Sequence, residues 1–180
     1  MTVPNLITCL RIILAPIFII YLINDRILFA LIVFIIAGLT DGLDGIIARI
    51  FNQKSDLGAY LDPLADKILL VSAFVVMGVR GYLPPWLIVV VITRDLLILL
   101  GVLTLYLTRT PFRVKPFLLS KVTTFFQLVT VFFGLAKGYF DLWDRFDEAV
   151  FWSTAVFTIS SGLVYMRHWF RIMSEGFFSE

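Results

Sequence analysis

The sequence predicts an all-α integral membrane protein with six transmembrane helices. Hydrophobic residues make up 60% of the 180 residues and charged residues only 16%, and the mean hydropathy is +0.97. An ordinary soluble domain is roughly 45 to 50% apolar and about 25% charged. Six apolar stretches each approach the length of about 20 residues that a membrane span requires. A chain of this length is expected to form one membrane domain, residues 1–180.

The predicted spans, in chain order, cover residues 5–23, 27–50, 58–80, 85–107, 117–137 and 149–170. Between them lie a turn at 24–26, a polar loop at 51–56, a Gly/Pro turn at 81–85, a basic connector at 108–116 and an acidic, aromatic connector at 137–148. The first stretch has no basic residues before it and is interrupted by Arg11. We therefore interpret it as a spanning helix and not as a cleaved signal peptide.

Lys and Arg are distributed unevenly between the connectors, and this predicts the orientation of the helices. The richer side of the membrane holds Arg49, Lys54, Arg109, Arg113, Lys115, Arg167 and Arg171, and the poorer side holds Arg26, Arg80, Lys137 and Arg145. Cytoplasmic loops carry an excess of Lys and Arg. The richer side is therefore expected to be the cytoplasm, with both termini on it.

Four aspartates lie inside the second and third predicted spans: Asp41, Asp44, Asp62 and Asp66. A single charge at the bilayer centre costs about 2.5 to 3.5 kcal/mol, so four of them require compensation. The first two are spaced i,i+3 and the last two i,i+4, so each pair shares one helix face. The second span ends on the side where the third begins. Both pairs are therefore expected at a similar depth on neighbouring antiparallel helices.

Divalent cations would provide the compensation. Bare carboxylates so close together would repel one another, and some would protonate. Two cations about 4 Å apart would cancel this charge and form the clamp that enzymes use in phosphoryl displacement. Carboxylate oxygens suit Mg²⁺ or Mn²⁺ better than Zn²⁺. The sequence therefore predicts a site for two Mg²⁺ or Mn²⁺ ions.

Small residues accompany the aspartates. Gly42, Gly45, Ala48 and Gly58 allow helix backbones, or a flat ligand, to approach closely. Arg49 follows at the membrane edge, where a guanidinium can bind a phosphate through two hydrogen bonds. The region thus combines carboxylates, small residues and an arginine that can bind a phosphate within a short stretch of chain.

The complete pattern is Asp41-x2-Asp44-Gly45-x2-Ala48-Arg49-x8-Gly58-x3-Asp62-x3-Asp66, and it resembles the signature of the CDP-alcohol phosphotransferases. The resemblance implies a six-helix membrane enzyme, usually a homodimer, with a polar cavity open to the cytoplasm. It also implies a reaction in which an alcohol displaces CMP from a CDP-linked lipid.

The same resemblance implies a role for each residue. Asp41, Asp44 and Asp62 would be metal ligands, and Asp66 would be the general base for the acceptor hydroxyl while also lying near a metal. The CDP site would be formed by Asp41, Asp44, Gly45, Ala48, Arg49, Gly58 and Asp62. Asn5 and Thr8 would line the cavity; alternatively, they cap and solvate the entry to the first helix.

Basic residues outside the pattern predict an acceptor that carries a phosphate. Arg94 and Lys121 lie within spans, and Arg113 and Lys115 lie in the basic connector. Together they would form an acceptor-phosphate pocket beside the aspartates. The alternative is that Arg94 and Asp95 form a structural pair and that the two connector residues only mark the cytoplasmic side.

Three further segments narrow the resemblance to one branch of the family: PNLITCLRI (4–12), TRD (93–95) and SKVTTFFQ (120–127). They resemble bacterial phosphatidylglycerophosphate synthases, whose acceptor is glycerol 3-phosphate, and eukaryotic-type cardiolipin synthases, whose acceptor is phosphatidylglycerol. Glycerol 3-phosphate is the preferred prediction, because it is the commoner acceptor among short bacterial members. Asp95 and the run RVKPFLLSK (113–121) favour the cardiolipin branch. The expected location is the bacterial inner membrane.

Other classes of protein explain the sequence less well. A small ion-coupled transporter would also use intramembrane carboxylates, but it would spread them across the membrane depth to form a relay. Here they are predicted at one side, at fixed spacing. The single cysteine, Cys9, excludes an intrachain disulfide and a Cys-rich metal site. The partners expected are CDP-diacylglycerol, a phosphate-bearing glycerol acceptor and membrane lipid, with no nucleic acid.

Overall fold

Every secondary-structure element in the described part of the chain is an α-helix, as predicted. The structure, a computed structural model, describes the backbone of residues 3–50, 56–108, 118–137 and 144–177, and side chains over most of 10–40, 66–108, 118–137 and 148–174. The helices are α1 (Val3–Ile23), α2 (Ile27–Ile50), α3 (Asp56–Val79), α4 (Pro85–Leu107), α5 (Leu118–Lys137) and α6 (Asp144–Phe177). Helices α1 to α5 agree with the predicted bounds within two residues. Helix α6 is longer than predicted at both ends.

Three of these helices are long and apolar enough to cross a membrane, within the residues that the structure describes. They are Pro85–Leu105 of α4, Leu118–Lys137 of α5 and Glu148–Ser174 of α6. Shorter apolar segments, Leu10–Ile23 and Ile27–Thr40, lie in α1 and α2. Six spans and a cavity open to the cytoplasm therefore remain predictions from the sequence.

The chain divides into two compact units. Unit 1 contains Met1–Leu83 and Val131–Leu142, and unit 2 contains Pro84–Thr130 and Trp143–Glu180. In unit 1, α1 packs against both α2 and α3. Phe18, Phe74 and Met77 are fully buried in this core, and the ring of Phe18 lies 5.9 Å from that of Phe34. Apolar side chains such as Ile20 and Val75 remain exposed on the outer faces.

Helices α1 and α3 end in the same type of cap. The N–H of Arg26 donates to the carbonyl of Tyr21 (2.9 Å), and the N–H of Tyr82 donates to that of Met77 (2.8 Å). The residue before each donor is left-handed: Asp25 has φ 55° and Gly81 has φ 77°. Arg80 joins the two caps, because it donates to the Ile23 carbonyl and pairs with the Asp25 carboxylate.

Unit 2 contains α4, α6 and most of α5. The rings of Trp86 in α4 and Trp152 in α6 lie 4.9 Å apart near one end of the helix pair. Near the other end, the indole N–H of Trp169 donates to Thr104 Oγ1 (3.0 Å). Helices α5 and α6 share a polar seam, in which the hydroxyls of Thr130 and Thr154 lie 2.7 Å apart. Hydrogen bonds of this kind stabilise contacts between membrane helices, where hydrophobic burial contributes little.

Candidate functional site

An ion pair inside unit 1 connects α1 to the aspartate pattern. An Nη1–H of Arg11 donates to Oδ1 of Asp66, the last aspartate of the pattern. The Arg11 side chain is 1% exposed, whereas the Asp66 side chain is 43% exposed. The guanidinium thus holds the carboxylate from the protein interior, and the carboxylate remains accessible to a reacting group.

Arg11 is a candidate site residue that the sequence prediction missed. The signal was available, since an arginine inside an apolar segment is costly unless it meets an acid or another acceptor. The sequence offers four aspartates as partners and does not distinguish between them. The contact joins residues that are 55 positions apart, so only the packing of α1 against α3 identifies Asp66 as the partner.

The other three aspartates of the pattern lie on the helices that the sequence predicts. Asp41 and Asp44 lie near the C-terminal end of α2, and Asp62 lies near the N-terminal end of α3. Both helices pack against α1 and belong to unit 1. The side chains of these three aspartates lie outside the described residues, so their convergence on one site stays a prediction.

The donor set is compatible with the predicted metal ions. All four candidate ligands are carboxylates, which are the ligands of hard cations such as Mg²⁺ and Mn²⁺. Asp66, the one whose side chain is described, is 43% exposed and therefore accessible to a cation. Among the described side chains no group of three or more His, Cys, Asp or Glu residues is close enough to hold a metal. The side chains of the other three predicted ligands, Asp41, Asp44 and Asp62, lie outside the described residues.

Arg94 forms a second buried polar cluster, in unit 2. It is 4% exposed. Its Nη1 donates to Asp95 Oδ1 (2.8 Å), and its Nη2 donates to the hydroxyls of Ser120 (2.8 Å) and Ser161 (2.7 Å). The guanidinium also lies 5.8 Å from the centroid of the Tyr165 ring. Its Nε–H is buried and has no partner among the described residues.

The remaining predicted site residues are described only in part. Lys121 is exposed on α5 and directly follows Ser120. Helical backbone alone is described for six of them: Asn5 and Thr8 in α1, Gly45, Ala48 and Arg49 in α2, and Gly58 in α3. Arg113 and Lys115 lie outside the described residues. Their predicted roles stay predictions.

Comparison with known proteins identifies the family. The sequence model of the CDP-alcohol phosphatidyltransferases matches residues 1–160. The chain is 37% identical over 186 residues to cardiolipin synthase (CMP-forming) of Homo sapiens, with 94% of this chain and 62% of that protein covered. The corresponding protein of Rattus norvegicus is 36% identical with the same coverage. The chain thus spans about three fifths of the length of these mammalian relatives.

A bacterial relative matches over nearly its whole length. The CDP-diacylglycerol--glycerol-3-phosphate 3-phosphatidyltransferase of Bacillus subtilis (strain 168) is 33% identical over 184 residues, with 92% of this chain and 94% of that protein covered. Relatives with both names, cardiolipin synthase and CDP-diacylglycerol--glycerol-3-phosphate 3-phosphatidyltransferase, therefore match almost the entire chain, in agreement with the branch that the sequence predicts. On the matched segment, which contains the whole aspartate pattern, this chain belongs to the CDP-alcohol phosphatidyltransferase family.

Proposed function

We propose that this protein transfers the phosphatidyl group of CDP-diacylglycerol to a glycerol hydroxyl of a phosphate-bearing acceptor and releases CMP. The observation that carries the proposal is the contact between Arg11 and Asp66. It gives the aspartate pattern one accessible carboxylate whose position is fixed from the interior. Membership of the family supports the reaction class.

The reaction requires one bond to form and one to break. The acceptor oxygen bonds to the phosphorus of the phosphatidyl group, and the bond between that phosphorus and the CMP oxygen breaks. CMP leaves with the electron pair, and Asp66 takes the proton of the acceptor hydroxyl. A well-positioned general base contributes typically about 10² to 10⁴-fold to the rate. Arg11 is a positioning residue, because it acts on the reaction only through Asp66.

The rest of the aspartate pattern would bind the metals and the nucleotide. Asp41, Asp44, Asp62 and Asp66 would together hold two Mg²⁺ or Mn²⁺ ions. When bound, these ions supply positive charge to the diphosphate as the bond to CMP breaks. Gly45, Ala48 and Gly58 would leave room for the cytidine diphosphate. Arg49 would donate to one of its phosphates.

Arg94 and Lys121 would bind the phosphate of the acceptor, together with Arg113 and Lys115. The buried Nε–H of Arg94 supports this role, because it lacks a partner among the described residues. An unsatisfied buried donor costs about 1 to 3 kcal/mol, and a phosphate oxygen would remove that cost. The contacts with Asp95, Ser120 and Ser161 hold the guanidinium in place for such a bond.

The acceptor that we favour is phosphatidylglycerol, which would make the product cardiolipin. The two mammalian relatives, named cardiolipin synthase, are 36% and 37% identical to the chain. Asp95 and residues 113–121 favour the same branch. Glycerol 3-phosphate, the acceptor preferred from the sequence alone, is the second candidate. The Bacillus subtilis relative supports it, since it matches over 94% of its own length.

The proposed setting is a bacterial inner membrane. Six helices would span it, both termini and the active cavity would face the cytoplasm, and two copies of the chain would form a homodimer. The three helices of spanning length and the bacterial relative support this setting.

The deciding experiment offers each acceptor separately to the purified protein. Liposomes containing CDP-diacylglycerol would receive Mg²⁺ or Mn²⁺ and then phosphatidylglycerol, glycerol 3-phosphate, serine or inositol phosphate, with CMP release as the readout. We expect CMP release with phosphatidylglycerol. Release with glycerol 3-phosphate alone would establish the second candidate, and no release with any acceptor would contradict the proposed function.

A further inference from the structure

Helix α6 carries a basic face that the proposed reaction does not use. A cavity of about 370 Å³ in unit 2 is lined, among the described residues, by Val164, Arg167, His168 and Arg171. All four side chains are exposed. A volume of this size lies within the range of about 300 to 1,000 Å³ that is usual for small-molecule sites. We refer to these four residues as the basic face.

The middle of the basic face points away from the side of α6 that contacts α4. Its residues are spaced three, four and seven positions apart, so they share one side of the helix. Trp169, which contacts α4 through Thr104, lies about 150° around the helix axis from the middle of this face at 3.6 residues per turn. Ser161, which contacts Arg94, lies about 70° from it, between the two sides. The hydrogen bonds described for Arg94 go to Asp95, Ser120 and Ser161 and to none of the four residues of the basic face.

The position of the basic face along α6 corresponds to the level of lipid headgroups. The apolar segment of α6 begins at Glu148, and Arg167 follows 19 residues later. At about 1.5 Å per residue this is about 28 Å, close to the roughly 30 Å thickness of the hydrocarbon core. Arg167, His168 and Arg171 would therefore lie where the second interface begins.

Packing against α4 fixes this end of α6. The Trp169 side chain contacts α4 at two neighbouring turns: its Nε1–H donates to Thr104, and its Cδ1 lies 3.5 Å from where a Cβ on Gly101 would stand. Trp is common at membrane interfaces, where its ring lies against the apolar side and its N–H can donate on the polar side. The basic face is thus presented by a helix segment that is anchored on its neighbouring side.

We propose that the basic face binds the headgroup phosphate of an anionic phospholipid. Two guanidinium groups one helical turn apart can each donate two hydrogen bonds to phosphate oxygens, and the imidazole of His168 adds another polar contact. Val164 lies one turn deeper, where it would contact the glycerol and the first acyl carbons. A lipid suits this level of the membrane better than a soluble phosphate ester does. The site is independent of the aspartates and of turnover.

Lipid retention measured by native mass spectrometry tests the proposal. The full chain would be equilibrated in detergent with equal amounts of phosphatidylglycerol and phosphatidylcholine, without CDP-diacylglycerol. The double variant Arg167→Gln/Arg171→Gln should retain less phosphatidylglycerol than the wild type, by about fivefold for each charge removed. The double variant Arg26→Gln/Lys137→Gln is the control, because it removes two exposed charges elsewhere. It should bind phosphatidylglycerol like the wild type.

A second variant keeps the test valid if the double charge variant fails to fold. Val164→Phe keeps every charge and fills the cavity at a side chain that is 40% exposed, so it should also lower phosphatidylglycerol retention. Wild-type retention in both the charge and the cavity variants would overturn the proposal. Equal retention of phosphatidylcholine and phosphatidylglycerol by the wild type would overturn it, as would displacement of the lipid by millimolar inorganic phosphate. The acceptor site proposed above would also bind phosphatidylglycerol, but its residues are unchanged in these variants. A difference in retention between wild type and variant therefore reports on the basic face, whether or not the proposed function is correct.

Discussion

At the scale of single residues, Arg11 shows how one contact links membrane insertion to chemistry. Its side chain is 1% exposed, and its guanidinium contacts a carboxylate that the aspartate pattern provides. A buried charge is tolerated when it is paired and hydrogen-bonded. The same contact fixes the orientation of Asp66, the proposed general base. Two variants of this pair separate the two effects.

Replacing Asp66 by asparagine should abolish turnover and leave substrate binding largely intact. The amide keeps the size of the side chain but cannot take the proton of the acceptor hydroxyl. CMP release and the binding of CDP-diacylglycerol would be measured on the same preparation. Asp25→Asn, at an exposed turn, is the control and should turn over like the wild type. Near-normal CMP release by the Asp66 variant would exclude this residue as the base.

Replacing Arg11 by glutamine should lower kcat by about 10² and change KM little, because Asp66 keeps its charge and loses its orientation. Arg11→Lys should recover part of kcat, since an ammonium keeps the charge but not the geometry. The variant also loses a charged hydrogen bond between the buried guanidinium and the partly exposed Asp66. Such bonds contribute about 1.5 to 3 kcal/mol, so the thermal midpoint should also fall.

The matched control for stability is Arg80→Gln, which breaks the more exposed pair with Asp25. Such surface pairs contribute only about 0.2 to 1 kcal/mol, so its midpoint should fall far less. A purely structural role for Arg11 would lower the midpoint and leave kcat of the folded fraction unchanged. That result would contradict the positioning role.

Asp41→Asn tests the metal assignment. Removal of one carboxylate from a site for two cations should weaken metal binding, since ligand charge sets much of the affinity for hard cations. The Mg²⁺ concentration needed for half-maximal CMP release should therefore rise, or activity should be lost at every concentration. An unchanged metal requirement would show that Asp41 is not a ligand.

At the scale of helices, hydropathy and the turn-forming residues between apolar stretches predict most of the helix boundaries. The Gly/Pro turn at 81–85 coincides with the cap in which Gly81 is left-handed, and the NDR turn coincides with the cap at Asp25. Helix α6 was predicted to end at residue 170, but it extends to Phe177. Charged residues end the apolar pattern at the interface, and they do not end the helix, because hydrogen bonding within the backbone continues in water.

Contacts between helices are harder to predict from the sequence than the helices themselves. The spacing of the aspartates predicts a shared face on each helix, but the partner of Asp66 lies on α1. Likewise the serines that bind Arg94 come from α5 and α6. A sequence pattern reports positions along one helix, whereas these contacts depend on how two helices are packed and rotated.

Gly162 tests the contact between α4 and α6. A Cβ at this position would already be in van der Waals contact with Cγ of Arg94, at 3.4 Å, so the three further carbons of a leucine would crowd the arginine or the facing helix. Overpacking of this kind typically costs about 1 to 3 kcal/mol. Gly162→Leu should therefore lower the thermal midpoint in detergent. Gly38→Leu is the control, because no atom lies within 4 Å of its Cβ position. Equal midpoints for the two variants would contradict this packing.

At the scale of the whole molecule, the number of spans sets the side of the membrane that each connector faces. Hydropathy predicts six spans, and three helices meet the length and hydropathy of a span within the described residues. Within the same residues, α1 and α2 contain the shorter apolar segments Leu10–Ile23 and Ile27–Thr40. The six-span prediction is tested directly by measuring which side of the membrane each connector faces.

Single cysteines after α1, between α2 and α3 and near the end of α6 distinguish six spans from three. Replacing Cys9, the one native cysteine, by serine gives a background in which Asn24, Ser55 or Ser174 is changed to cysteine. With six spans, Asn24→Cys should react with an impermeant maleimide on intact cells. Ser55→Cys and Ser174→Cys should react only in inside-out vesicles, since an even number of spans separates them and both lie on the predicted cytoplasmic side.

The labelling of Ser55→Cys, between α2 and α3, distinguishes six spans from three. If only α4, α5 and α6 crossed the membrane, Ser55→Cys would react from the same side as Asn24→Cys, because no span would separate them. That outcome would show that α2 and α3 enter the membrane without crossing it. Reaction of Ser55→Cys and Ser174→Cys on intact cells, with Asn24→Cys protected, would keep six spans and reverse the orientation. In that case the aspartates would face away from the cytoplasm, and the proposed use of CDP-diacylglycerol there would be contradicted.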